Sequence, residues 1–227
     1  MQTKPTGRRQ WMRDCSAWLV ALSASGLWLP AAQAKERNAA KSSAPSIVVL
    51  GDSLSAEYGL PRGSGWVQLL QQRLQGRLPN ARVINASISG DTTSGGRSRL
   101  PEVMRQHRPT HLVIELGGND ALRGLPMTMT TDNLRAMVRE GKAAGARVLL
   151  VGMQMPPNYG ARYAREFAEA FSTVAREEQV ALLPFLLAGV ADRPDALQWF
   201  QPDRIHPAAK AQPVMMDNVW RALQPLL

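Results

Sequence analysis

The sequence predicts a three-layer α/β fold in which a parallel sheet is covered by helices on both faces. Two observations carry this: five short apolar runs alternate with amphipathic helical patterns, and chemically suggestive motifs fall directly after the first three runs. Nearly all-apolar strands separated by helices are buried on both faces and joined by right-handed crossovers. In such a sheet a site forms beyond the carboxyl ends of the strands, where strand order reverses.

In chain order, the strand-like runs occupy residues 47–50, 82–86, 111–116, 147–151 and 180–185. Between them, Trp66, Leu69, Leu70 and Leu74 share one helical face. Leu134, Met137 and Val138 share a second, and Tyr163, Phe167, Ala170, Phe171 and Val174 a third. Another helical segment ends at His107, ahead of Pro109. A final helix is expected from Pro207, because the N–H that proline lacks would be unpaired in a first turn anyway.

Ahead of this pattern, residues 1–34 read as a secretory signal peptide. Arg8, Arg9 and Arg13 precede an apolar stretch over 17–29, and Ala32-Gln33-Ala34 supplies small residues for cleavage after Ala34. The apolar stretch is shorter than the roughly 20 residues a membrane-spanning helix needs, so no stable membrane anchor is expected. Residues 35–45 are small and polar and read as a flexible lead-in. Residues 46–227 then form one domain, since 227 residues with 44% hydrophobic composition support a single core. Cys15, the one cysteine, lies within the leader, so the exported chain has no thiol and forms no disulfide. The predicted location is periplasmic or secreted.

The formal charge is +9, and without the leader 23 Lys and Arg stand against 17 Asp and Glu. The arginines are dispersed, and three tyrosines and four phenylalanines offer little for base stacking, which argues against nucleic-acid binding.

Four motifs carry chemistry. Gly51-Asp52-Ser53-Leu54-Ser55 follows the first run and presents a serine hydroxyl at a strand end. Asn85-Ala86-Ser87-Ile88-Ser89-Gly90-Asp91-Thr92 follows the second, where Gly90 lets the backbone approach a cleft closely. Glu115-Leu116-Gly117-Gly118-Asn119-Asp120 follows the third and brings an amide donor to the sheet edge. Asp203-Arg204-Ile205-His206-Pro207 leads into the last helical segment. In a 2-1-3-4-5 strand order, Gly90 and Asn119 flank Ser53, and with the Ser53 N–H they make an oxyanion hole. A serine hydroxyl needs a base to take its proton, and the Asp-x-x-His spacing lets one loop supply His206 and an orienting Asp203. The other two histidines do not compete: His107 ends a helix, and His111 opens a strand at the wrong edge of the sheet. Pro109 between them keeps the pair off one helix face, so no metal site is expected. Asp52, Asp91 and Asp120 read as loop braces that bind backbone N–H groups.

Ser53, Gly90, Asn119 and the Asp203/His206 pair, in that order over residues 46–224, resemble the four blocks of the SGNH, or GDSL, hydrolases. The segments 47–55, 83–91, 113–124 and 157–160 are similar to the branch of that family holding periplasmic thioesterases, lysophospholipases and arylesterases. The resemblance implies a flavodoxin-like five-stranded sheet, a serine hydrolase acting on small acyl esters, thioesters and lysophospholipids, no cofactor and a monomer. It also implies a lip over 120–125 and acyl contacts from Leu122, Leu125, Met155 and Tyr159. One position departs from the thioesterases: Gln154 stands where a cation is expected. A carbohydrate O-acetylesterase uses the same four blocks and is the alternative. A non-catalytic secreted binding protein would have no need of the whole set.

Overall fold

The computed structural model describes residues 44–155 and 157–227; the expected leader and most of the lead-in lie outside them. Five strands form: β1 (Ser46–Gly51), β2 (Arg82–Asn85), β3 (His111–Glu115), β4 (Arg147–Val151) and β5 (Ala181–Leu183). They make one sheet of order β2-β1-β3-β4-β5 with every neighbouring pair parallel. Six α-helices accompany them: α1 (Trp66–Gln75), α2 (Thr93–His107), α3 (Gly118–Leu122), α4 (Met127–Ala143), α5 (Ala161–Glu178) and α6 (Gln212–Leu223). The predicted three-layer fold and strand order are what the structure has.

Successive side chains of a strand point to opposite faces. Ile47 and Val49 of β1 therefore pack with Trp66, Leu70 and Leu74 of α1 and with Met215 and Val219 of α6. Val48 and Leu50 pack on the other face with Leu134, Met137 and Val138 of α4 and with Phe167 and Phe171 of α5. The two phenylalanine rings meet edge to face with centroids 5.2 Å apart, an arrangement favoured by the ring quadrupoles. β1 and β3 are buried along their whole length, as central strands must be, whereas edge strand β2 exposes Arg82 and Asn85.

Element ends follow local chemistry. α2 begins where the Thr92 side chain accepts from the Gly95 N–H at 3.2 Å and ends with Arg108 in the left-handed region (φ 42°), before Pro109, which disfavours a helical predecessor. β5 is shorter than the predicted 180–185 because Pro184 has no N–H to continue the ladder. At this edge Gly152 passes very close to its neighbour: its N–H donates to the Leu183 carbonyl at 2.7 Å, and a Cβ would lie 2.4 Å from the Pro184 carbonyl oxygen. Backbone cannot yield as a side-chain tip can. Gly152→Ala is therefore expected to destabilise the protein by about 3 kcal/mol, the upper range for overpacking, read as a lowered urea midpoint.

The final helix does not start at Pro207. The backbone there is engaged elsewhere: Pro207 forms an antiparallel bridge with Phe200, and the Ala208 N–H donates to the Trp199 carbonyl at 2.8 Å. A short 3-10 turn at Ala209–Ala211 intervenes, and it is Pro213 that occupies the first turn of α6. Among the described residues no helix is long and apolar enough to cross a membrane.

Candidate active site

β1 ends at Gly51, where a Cβ would sit 2.8 Å from the Ser55 side chain and 2.9 Å from Glu115 Oε2. The turn that follows is closed by the N–H groups of Ser55 and Ala56 on the Asp52 carbonyl, at 3.2 and 2.9 Å. It leaves Ser53 beyond the strand with its Oγ 2.9 Å from His206 Nε2. His206 Nδ1 in turn lies 2.7 Å from Asp203 Oδ2. The other oxygen, Asp203 Oδ1, accepts from the N–H groups of Ile205 and His206 at 2.9 and 3.0 Å. Desolvation pushes the Asp203 carboxyl up, but these two N–H donors and the imidazole outweigh it and hold the group down at about 2. The carboxylate is thus ionised whenever a base is needed. Tyr58 packs on the imidazole with ring centroids 4.3 Å apart.

The loop carrying His206 and Asp203 is closed on itself. The Gln201 N–H donates to the His206 carbonyl at 2.7 Å and the Arg204 N–H to the Gln201 carbonyl at 2.9 Å, with Arg204 in the left-handed region at φ 58°. His206 therefore sits in a turn ahead of the helix.

Because β2 and β3 flank β1, their following loops bring Gly90 and Asn119 to either side of the Ser53 turn. Gly90 has φ 79°, which a side chain would disfavour, and Arg123 Nη2 donates to its carbonyl at 2.8 Å. Among the described residues neither the Ser53 N–H nor the Gly90 N–H has an acceptor. Asn119 Nδ2 lies 3.0 Å from Asp52 Oδ2 and 2.9 Å from the Asp91 carbonyl, so both of its hydrogens are engaged. Turning one toward a substrate oxygen exchanges one of those bonds. Of the expected acyl contacts, Leu122 and Tyr159 are exposed and Leu125 is half-buried. Met155 instead lies in the core cluster with Ile114 and Phe167, as packing and not as an exposed wall.

The GDSL-like lipase/acylhydrolase family matches residues 49–212, which span this entire site. The chain belongs to that family. It is 48% identical to the esterase TesA of Pseudomonas aeruginosa over 82% of this chain and 92% of that protein. It is 42% identical to the thioesterase 1/protease 1/lysophospholipase L1 of Escherichia coli K12, over 81% of this chain and 86% of the other. A crystal structure of the psychrotrophic esterase EstA from Pseudoalteromonas, inhibited by monoethylphosphonate, superposes with TM-score 0.74 at 39% identity. The match covers 80% of this chain and 98% of the crystallised one.

Beneath the GDSL turn lies a carboxylate to which the sequence reading gave no role. Glu115 closes β3 and is fully buried; its Oε2 accepts from Ser55 Oγ at 2.7 Å and from the Asp52 N–H at 3.3 Å, while among the described residues Oε1 has no partner. Burial, together with the neighbouring Asp52 charge, pushes its carboxyl well above the usual range. Burial likewise raises Asp52 to about 6, against the pull of the Leu54 N–H, the His206 charge and the Asn119 amide. The signal in the sequence was a lone acid ending an apolar strand. The predicted braces have their N–H partners: Leu54 on Asp52, Thr92 on Asp91 and Thr93 on Asp120.

A buried acid that stays protonated has a definite linkage. Between the unfolded pKa near 4.5 and the raised folded one, the native state holds the extra proton. The stability that the neutral acid contributes is therefore complete below about pH 4 and declines by about 1.4 kcal/mol per pH unit above it, until the pH reaches the raised folded pKa. Glu115→Gln keeps the shape without titrating. The variant is expected to gain stability over the parent as pH rises from 5 to 8, measured by urea unfolding; a constant penalty at every pH would show an ionised, satisfied Glu115.

Proposed function

We propose that this chain hydrolyses carboxylic esters and thioesters through an acyl-enzyme on Ser53. The observation that carries the proposal is the unbroken line Ser53 Oγ, His206, Asp203, at 2.9 and 2.7 Å. His206 Nε2 takes the hydroxyl proton as Oγ attacks the acyl carbon, and Asp203 holds the Nδ1 proton and stabilises the imidazolium. The oxyanion that forms is received by the Ser53 and Gly90 N–H groups and by the Asn119 amide. His206 then protonates the leaving alcohol or thiol, and a water activated by the same nitrogen releases the acid and restores Ser53. No cofactor takes part.

Aryl esters, acyl thioesters and lysophospholipids are the proposed substrates, with Leu122, Leu125 and Tyr159 meeting the acyl chain. The names of the two relatives and the exposed apolar character of Leu122 and Tyr159 support this range. The protein acts as a monomer in the periplasm or outside the cell, after cleavage near Ala34. The deciding experiment is a series of p-nitrophenyl esters from acetate to palmitate. Turnover peaking at medium or long chains is the expected result, whereas turnover of acetate alone would replace this reading with a carbohydrate O-acetylesterase.

A further inference from the structure

Six of the seven exposed large apolar side chains among the described residues lie in the loops and short helical turns that leave the carboxyl ends of the strands; Leu78 is the exception. One or two come from every such loop: Tyr58 after β1, Ile88 after β2, Leu122 after β3, Tyr159 after β4, and Leu197 and Ile205 after β5. Four are tied to the Ser53 site directly. Tyr58 stacks on His206 and Ile205 precedes it; the Ile88 N–H donates to the Gly51 carbonyl at 3.0 Å; Leu122 adjoins Arg123, which bonds to Gly90. A ring of apolar groups around one mouth marks a surface that meets something apolar.

The charges of the same loops (residues 52–65, 86–92, 116–126, 152–160 and 184–211) are one-sided. Their seven carboxylates are all committed. Asp52 and Asp120 are buried, Glu57 and Asp192 hold backbone N–H groups, and Asp91, Asp195 and Asp203 pair with Arg99, Arg193 and His206. Of the cations, Arg193 and Lys210 lie over the Trp199 ring, which leaves Arg62, Arg123 and Arg204 exposed and, among the described residues, without a carboxylate partner. Apolar side chains rimmed by arginines that no carboxylate neutralises complement phosphate headgroups above an acyl layer.

We infer that the carboxyl edge of the sheet is a docking face for an anionic lipid bilayer, with the apolar ring entering the interface and Arg62, Arg123 and Arg204 meeting the phosphates. The inference rests on the proposed ester hydrolysis only in that docking sets the Ser53 mouth against a surface that stores acyl esters.

The test is partitioning of residues 35–227, carrying Ser53→Ala so that no lipid is cleaved, onto sedimented vesicles of phosphatidylglycerol or of phosphatidylcholine. The protein is expected on phosphatidylglycerol, released by 1 M NaCl, and far less on phosphatidylcholine. Adding Leu197→Ser should weaken partitioning about fivefold, and Arg62→Gln about fivefold, the equivalent of ~1 kcal/mol per arginine. In chains that keep Ser53, the same changes should leave hydrolysis of soluble p-nitrophenyl acetate within twofold. Absence from phosphatidylglycerol vesicles overturns the docking face. So does an equal loss on changing Arg73 and Arg77, which lie over Trp220 on the flank. Failure of ester hydrolysis would appear separately, in the assay with Ser53 intact.

Discussion

Ser53→Ala is expected to lower kcat by about 10⁶-fold, the scale seen when the nucleophile of a serine hydrolase is removed. In the proposed mechanism His206 acts only by moving the Ser53 proton, and Asp203 acts only by holding His206. With Oγ absent, neither has a reaction to assist. Combining Ser53→Ala with His206→Ala should therefore cost little beyond the first change, a non-additivity that independent contributions would not show. What activity survives comes from the amide donors that remain. Two measurements check this: hydrolysis of a medium-chain p-nitrophenyl ester, and intact mass after treatment with a reactive organophosphonate. One adduct per chain should form on the parent and none on Ser53→Ala; equal labelling of both would remove Ser53 from the mechanism.

Asp203→Asn should cost about 10⁴-fold in kcat, and the geometry gives the reason. Asp203 Oδ1 already takes the N–H groups of Ile205 and His206. An asparagine must meet those two donors with its single oxygen, which turns its NH₂ toward His206 Nδ1. Nδ1 then has to accept, the ring proton moves to Nε2, and the nitrogen facing Ser53 can no longer take a proton. The nearly isosteric change is thus no milder than Asp203→Ala, which leaves Nδ1 free to hold its proton against water. Matched kcat values for both variants at saturating substrate check the idea, and an asparagine variant with more than a tenth of parental turnover would overturn it.

The sheet was legible because its strands are short apolar runs bounded by glycine, proline and asparagine. The four motifs were legible because parallel topology puts every strand's following loop at one edge. What could not be read depended on distant backbone. Pro207 satisfies every local rule for opening a helix, yet the segment is paired with Phe200 and Trp199 and the helix starts five residues later. Glu115 meets Ser55 across 60 positions and Tyr58 meets His206 across the molecule, contacts that no local pattern encodes. Met155 is apolar and flanks a motif, but only packing reveals that it belongs to the interior.

The turn from Gln201 to His206, sealed by its own hydrogen bonds, has a consequence for how the enzyme fails on heating. Ser53 is fastened to the sheet, while imidazole and carboxylate travel together as one small closed body. Their mutual alignment survives a motion of that body, which meets the Ser53 turn through the Oγ–Nε2 contact, the Tyr58 ring on His206 and the Gln201 Nε2 bond to the Tyr58 carbonyl. Warming should therefore switch the enzyme off by lifting an intact piece away from an intact scaffold, so that cooling restores turnover without any refolding.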